Sequence, residues 1–125
     1  MKSQRYLSDD QVADLHADLK QRFELQHIMA EHTRPVLELE LGIDEGTMAK
    51  IERGTFRWSP DCGFTQAQAD EAKRRRQIWQ LTNERMQEYR LETLAERYEI
   101  SVMSIFRHIY KVRAEMHSQE RRKAA

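Results

Sequence analysis

The segment from Arg90 to Glu115 constrains the fold of this chain more than any other stretch. In its first part, Leu94, Ala95 and Tyr98 lie on one side of a short helix, since residues three and four apart share a face. In its second part, apolar residues recur at intervals of four, three and four, as Ile105, Ile109, Val112 and Met116. The pattern predicts two helices, each with one apolar face turned inward.

The residues Glu99, Ile100 and Ser101 interrupt this periodicity between the two helices. Ser101 is a favourable N-cap, because its hydroxyl can accept a hydrogen bond from an amide in the first turn of the next helix. The sequence therefore predicts a tight turn here. The outward arc of the second helix offers hydrogen-bond donors, together with apolar groups able to contact a thymine methyl.

The spacing of Leu94, Ala95, Tyr98, Ile100 and Ser101 resembles the helix-turn-helix signature of bacterial and phage regulators. That signature usually has glycine where this chain has Glu99, and a left-handed conformation there costs roughly 1 kcal/mol. The resemblance implies that the second helix reads DNA, with six candidate contacts: Met103, Ser104, Arg107, His108, Tyr110 and Lys111. The alternative interpretation is an ordinary helical hairpin with a solvated basic face.

From Ile78-Trp79 onward, the chain also resembles the C-terminal DNA-binding half of the phage middle-operon activators. That resemblance implies that residues 1–60 form a dimerisation scaffold.

A second segment, from Val36 to Gly54, has the letters LGI, an Asp44 cap, apolar Met48 and Ile51, and a final ERG. It resembles the helix-turn-helix of the lambda-repressor/Cro family. The resemblance implies three further DNA contacts: Thr47, Lys50 and Arg53. The segment departs from the family at Glu38, where a small alanine is usual, and at the acidic Glu45 and Glu52. The alternative is a scaffold that serves dimerisation or binds a partner protein.

The remaining helices are predicted from composition and capping signals. Charged residues make up 34% of the chain and there are only 4 Gly and 2 Pro, which favours a mostly helical fold. Capping-box spacing at Ser8 and Gln11, and again at Thr65 and Gln68, predicts two helix starts. We expect an all-α protein with two small helix-turn-helix modules joined by a long central helix that runs to about Tyr89. The expected parts are residues 1–60, residues 64–117 and a flexible basic tail, 118–125.

Apolar residues outside the main stripes indicate additional buried surface. Leu25, Ile28 and Met29 indicate either a break in the first helix near Glu24 or a second buried face. The apolar arc of the central helix is also wide, which indicates burial on two sides. These features together predict a homodimer with isologous contacts.

Charge is unevenly distributed along a chain whose formal net charge is zero. Residues 1–50 carry 6 Lys/Arg and 10 Asp/Glu, whereas residues 81–125 carry 9 and 7. The acidic N-terminal half is compatible with a protein partner. A basic face elsewhere on the chain can still bind phosphate although the net charge is zero. Lys2 and Arg5 in the leader, and the basic residues of the tail, are candidates for sequence-independent phosphate contacts. The run Lys73–Arg76 points all round a helix, so its members cannot all face one partner.

Several classes of function find no support in the sequence. No apolar run approaches the ~20 residues of a membrane span, and Cys62 alone cannot form an intrachain disulfide. His16, His27 and His32 lack the spacing and cysteine partners of a zinc site. We expect no catalytic residue, no metal, no cofactor and no membrane association, and a cytoplasmic location.

The favoured function is sequence-specific binding of double-stranded DNA by a transcriptional regulator of bacterial or phage type, acting by operator occupancy. The alternative is a helical protein-interaction module, an antirepressor or inhibitor, that uses a repurposed helix-turn-helix.

Overall fold

The computed structural model describes residues 6–124, and every regular element in that range is helical. This confirms the all-α prediction for the described part of the chain. Lys2, Arg5 and Ala125, for which the sequence analysis makes predictions, lie outside it. The helices are α1 (Asp9–Glu31), α2 (Arg34–Leu41), α3 (Glu45–Arg53), α4 (Gln66–Met86), α5 (Leu91–Tyr98) and α6 (Val102–Ala124), with short 3-10 turns at Pro60–Cys62 and Gln87–Tyr89.

Helix α1 begins at the predicted capping box. The Ser8 amide donates to Gln11 Oε1 at 2.9 Å, and the Gln11 amide donates to Ser8 Oγ at 3.2 Å. The helix then continues without interruption to Glu31, so the break considered near Glu24 does not occur. Of the two alternatives, the second buried face is the one observed, because Leu25 is only 1% exposed.

The described chain packs as two compact units that do not follow chain order. Unit 1 contains residues 6–24 and 86–124, and unit 2 contains residues 25–85. The sequence predicts instead a division between residues 60 and 64. The difference arises because Leu15 and Leu19 of α1 are fully buried in the same apolar cluster as Leu94 of α5. A helical stripe shows which face is buried but not which distant helix covers it.

Unit 1 has three helical pieces around one core. Five residues that the periodicity predicted, Leu94, Tyr98, Ile105, Ile109 and Val112, are buried in one cluster with Leu15 and Leu19 of α1. Ile100 of the turn joins this cluster although it lies outside the predicted pattern, whereas Ala95 and Met116, which the pattern includes, are only partly buried. Tyr98 is tied to α1, since its hydroxyl donates to Asp18 Oδ2 at 2.5 Å. Burial and this hydrogen bond raise the pKa of Tyr98. The core therefore fixes α5 and α6 to α1 on their inner faces.

Unit 2 has its own core, formed by α2, α3 and α4 and consisting of Leu37, Ile43, Met48, Ile51, Ala69 and Ala72. Gly42 ends α2 with φ 69°, a left-handed conformation that glycine adopts without steric cost. Asp44 caps α3, with Oδ2 accepting from the Thr47 amide at 3.1 Å. Thr33 occupies the N-cap position of α2, but its side chain makes no capping hydrogen bond.

Helix α4 begins at the second predicted capping box, where the Gln68 amide donates to Thr65 Oγ1 at 3.0 Å. It ends at Met86, and a 3-10 turn occupies the residues up to Tyr89. Within the single chain, Ala69 and Ala72 of this helix supply the core contacts and Leu81 is 61% exposed. At the other end of the chain, residues 118–124 continue α6 instead of forming a separate tail, consistent with their helix-favouring Gln, Glu, Arg, Lys and Ala composition.

Candidate nucleic-acid interface

The turn between α5 and α6 sets the start of the candidate reading helix. Glu99 adopts φ 54° and ψ 42°, so it has the left-handed conformation for which the signature usually has a glycine. The Ile100 amide donates to the Ala95 carbonyl at 3.0 Å, which closes the C-terminus of α5. Ser101 Oγ then accepts from the Ser104 amide at 3.1 Å, so Ser101 is the N-cap of α6 as predicted. These contacts fix where α6 begins.

The inner face of α6 determines which side chains point outward. Ile105 and Val112 are fully buried, and Ile109 is 8% exposed. Because successive residues advance by 100° round a helix, the residues opposite these three face solvent. Four of the six predicted contacts are exposed in this way: Met103, Arg107, Tyr110 and Lys111.

The other two predicted residues are engaged within unit 1. Ser104 is half-buried, and its hydroxyl lies 3.1 Å from that of Ser101. His108 is half-buried against α1, with Nδ1 2.9 Å from Nε2 of His16. Burial, reinforced at His108 by the positive charge of Lys111, lowers the pKa of both imidazoles. Ser104 therefore contacts the N-cap of its own helix and His108 contacts α1, so neither side chain belongs to the exposed arc.

The first half of α6 is electrostatically one-sided. No Asp or Glu occurs between Val102 and Ala114, whereas Arg107, Lys111 and Arg113 are all exposed. Arg113 lies over the Phe23 ring, with its guanidinium carbon 5.4 Å from the ring centroid. The nearest carboxylate along the helix is that of Glu115, which pairs with Lys20 at 3.7 Å. This surface can attract an anionic partner although the whole chain has no net charge.

Phe106 belongs to the same surface, although the sequence analysis did not select it. Its side chain is 42% exposed, and it lies one helical turn from both Met103 and Tyr110. The sequence does contain a signal for this exposure, because Phe106 lies outside the inward stripe formed by Ile105, Ile109 and Val112. An aromatic residue outside a buried stripe is a candidate contact residue.

Helix α3 presents a smaller and more mixed surface. Lys50 and Arg53 are exposed as predicted, but the Thr47 hydroxyl donates to Asp44 Oδ1 at 2.6 Å as part of the helix cap. The hydrogen bonds from Thr47 lower the pKa of Asp44. Glu45, whose side chain is 74% exposed, adds negative charge at the start of α3. The outward face of α3 therefore carries charges of both signs.

Glu52 does not add to that exposed charge, because it is buried between two arginines. Its Oε2 lies 2.6 Å from Arg34 Nη2, and its Oε1 lies 2.7 Å from Arg76 Nε. Arg76 also donates to the His32 carbonyl at 2.9 Å and covers the Trp79 ring with its guanidinium carbon 4.6 Å from the centroid. Glu52, which departs from the pattern of the lambda-repressor/Cro family, thus forms buried ion pairs within unit 2.

Most side chains of the basic run Lys73–Arg76 form ion pairs inside unit 2. Arg75 pairs with Glu40 and donates to His32 Nδ1 at 3.0 Å. Arg74 pairs with Glu71 within α4, and this contact lowers the pKa of Glu71. Burial, followed by the charge of Arg75, lowers the pKa of His32. The densest cluster of positive charge in the sequence is therefore mostly a set of structural ion pairs.

Residues 6–124 contain neither a metal-binding cluster nor a helix suited to span a membrane. No three or more His, Cys, Asp and Glu side chains in this range are grouped so that they could hold a metal ion. His27 instead lies 3.0 Å from Glu31, one turn along α1. Within the same range, no helix has both the length and the apolarity required to cross a bilayer.

No protein-family model matches this chain, and no curated protein or solved structure gives a significant match to it.

Proposed function

We propose that this chain is a sequence-specific double-stranded DNA-binding regulator of bacterial or phage type, in which α6 enters the major groove. The observation that carries the proposal is the combined exposure and charge of α6. Arg107 and Lys111 are exposed on a stretch without a single carboxylate, and α6 is anchored to α1 and α5 on its opposite face. Base edges and phosphates are recognised by such donors when they are presented on a fixed helix.

In this proposal α5, the Glu99 turn and α6 form a helix-turn-helix, and the first turns of α6 address the bases. Helices α2 and α3 form a second one, with Lys50 and Arg53 as its contacts. The mixed charge of α3 supports a subordinate role for this second module, such as phosphate contact or scaffolding. Regulation would follow from occupancy of an operator.

A homodimer is part of the same proposal. One reading helix covers only a few base pairs, and two copies related by a two-fold axis would double the site. The target would then be a pseudo-palindrome with half-sites separated by about 10 bp or a multiple of that distance. Sedimentation of the free and DNA-bound protein tests this, and a monomer in both states would contradict it.

The decisive experiment compares Arg107→Ala with Lys50→Ala on the best duplex selected from a random pool. If Arg107 reads a guanine, its loss should weaken binding by about 5- to 150-fold and relax specificity at one position. If it contacts only phosphate, binding should weaken on all sequences, and the slope of log affinity against log salt should fall by about one unit. Because Arg107 is exposed, the circular dichroism spectrum should not change.

The Lys50→Ala variant decides the role of the first module. A loss comparable to that of Arg107→Ala means that both modules contact DNA, whereas no loss assigns α3 to scaffolding. If both single variants and the double variant are folded and bind as tightly as the unaltered chain, the DNA-binding proposal fails.

One observation favours the protein-interaction alternative for unit 2. Leu39 on α2 is 88% exposed between the exposed Glu38 and Glu40. An exposed apolar residue next to the Glu38 carboxylate suits a partner that has a hydrophobic pocket with a cation beside it. A protein of this kind would show no salt-dependent retention on duplex DNA, which separates the two functions.

A further inference from the structure

Three large apolar side chains form an exposed stripe on the first turns of α6. Met103 is 66% exposed, Phe106 42% and Tyr110 70%. Their spacing of three and four residues places them on one helical face, outside the stripe of buried isoleucines. We call these three residues the α6 stripe.

We infer that the α6 stripe reads thymine 5-methyl groups in the major groove, so that the operator contains neighbouring A·T pairs at the position of α6. This inference rests on the proposed function and deepens it, since it states which bases the helix selects. The apolar residues supply the selectivity for A·T pairs, while Arg107 and Lys111 supply attraction and orientation.

The chemistry of the major groove supports this assignment. Among the groups that the four bases present there, the thymine methyl is the apolar one, and the others are hydrogen-bond donors or acceptors. Met103 and Phe106 can neither donate nor accept a conventional hydrogen bond, so contact with polar base edges would leave those edges unpaired. Contact with a methyl group instead removes apolar surface of both partners from water.

Charge identifies DNA as the occupant of this surface in preference to an apolar protein groove. Arg107 lies between Met103 and Tyr110 on the same face, and Lys111 adjoins it one turn further along. Both cations would lose hydration in a hydrophobic groove, whereas a duplex offers phosphates on either side of the methyl groups.

The dimensions of the stripe agree with a short run of base pairs. Tyr110 lies seven positions after Met103, which corresponds to about 10 Å along a helix axis at 1.5 Å per residue. Stacked base pairs rise by about 3.4 Å, so the stripe spans roughly three of them. Two or three adjacent methyl groups can therefore be contacted at once.

The test uses the full-length protein and its best selected duplex, in which each thymine is replaced by uracil one at a time. Uracil retains the O4 acceptor and lacks only the methyl group. Each contacted position should weaken binding about fourfold, the effect of exposing one methyl-sized group. The Phe106→Ala and Met103→Ala variants should each lose the response to uracil at one position.

Leu39→Ala is the control, because it removes an exposed apolar side chain from unit 2 and should keep the full response to uracil. Tight, sequence-specific binding that does not change on a fully uracil-substituted duplex would overturn the inference and leave the proposed function standing. Failure to bind any duplex would overturn both. If Phe106→Ala converts a dimer to a monomer without changing the response to uracil, the stripe is a contact between copies and the inference is wrong.

Discussion

Replacing Glu52 by glutamine should destabilise unit 2 without improving DNA binding. The Glu52 side chain is 8% exposed and bridges Arg34 and Arg76 with its two oxygens, at 2.6 and 2.7 Å. Glutamine has nearly the same size but only one acceptor oxygen. One guanidinium would therefore face the amide NH₂ group, which is also a donor.

The magnitude follows from the burial of the three partners. Breaking a buried ion pair by removing one charge costs about 3–5 kcal/mol. The Arg76 side chain is as buried as that of Glu52, at 8%, whereas the Arg34 side chain is 37% exposed and its share is screened by water. We therefore expect about 3 kcal/mol, a factor of about 100 in the folding equilibrium. For a unit of this size the Tm should fall by roughly 10 °C or more.

Thermal denaturation followed by far-UV circular dichroism measures the effect, with Glu38→Gln as the control. Glu38 is an exposed carboxylate on α2, and its replacement should leave the Tm almost unchanged. The double variant Glu52→Leu/Arg76→Met should recover part of the loss, because it removes two of the buried charges together. A Tm for Glu52→Gln within about 1 °C of that of the unaltered chain would refute the ion-pair argument.

Two further predictions concern unit 1. Glu99→Gly should raise the free energy of unfolding by about 0.5–1 kcal/mol. The reason is that the steric cost of φ 54° for a glutamate exceeds the additional entropic cost of ordering a glycine on folding. Chemical denaturation measures this, and a destabilised variant would show that Glu99 contributes more through its side chain than it costs in strain. The His16–His108 pair should make stability depend on pH. Its lowered pKa values mean that the unfolded chain binds more protons, so stability is full above the ordinary histidine pKa of 6.5 and decreases as pH falls below it. His108→Gln should reduce the slope of Tm between about pH 7.5 and pH 5.5, and an unchanged slope would assign it to other groups.

The parts of the fold that sequence analysis predicted depend on neighbours within a few positions. The Ser8–Gln11 and Thr65–Gln68 capping boxes, the Asp44 cap and the Ser101 cap each depend on contacts between residues three positions apart. Such contacts form between residues that are close along the backbone, and they need a particular residue type at a particular spacing. The sequence contains both, so it is enough to predict them. The inward stripe of α6 is predictable for the same reason.

The parts that were not predicted depend on partners far along the chain. Periodicity identifies the buried faces of α1 and α5, but their pairing depends on shape across residues that are 79 positions apart, as for Leu15 and Leu94. Likewise, the sequence shows that the side chains of Lys73–Arg76 point in all directions round a helix. It does not show that Glu52 lies within reach of Arg76. His108 is the corresponding case in the candidate site, since its partner His16 is 92 positions away.

Along the sequence, unit 2 lies between the two segments of unit 1, and this order has a consequence for folding during synthesis. Residues 25–85 form a core of their own, so unit 2 can fold as soon as Arg85 has left the ribosome. The first half of α1 has to wait until α5 and α6 emerge, with Leu15 and Leu19 uncovered in the meantime. Closing unit 1 then joins segments separated by about 60 residues, and such non-local contacts form slowly. A chain that stops after Arg85 and before α6 would therefore carry a folded unit 2 and lack the helix proposed to read DNA.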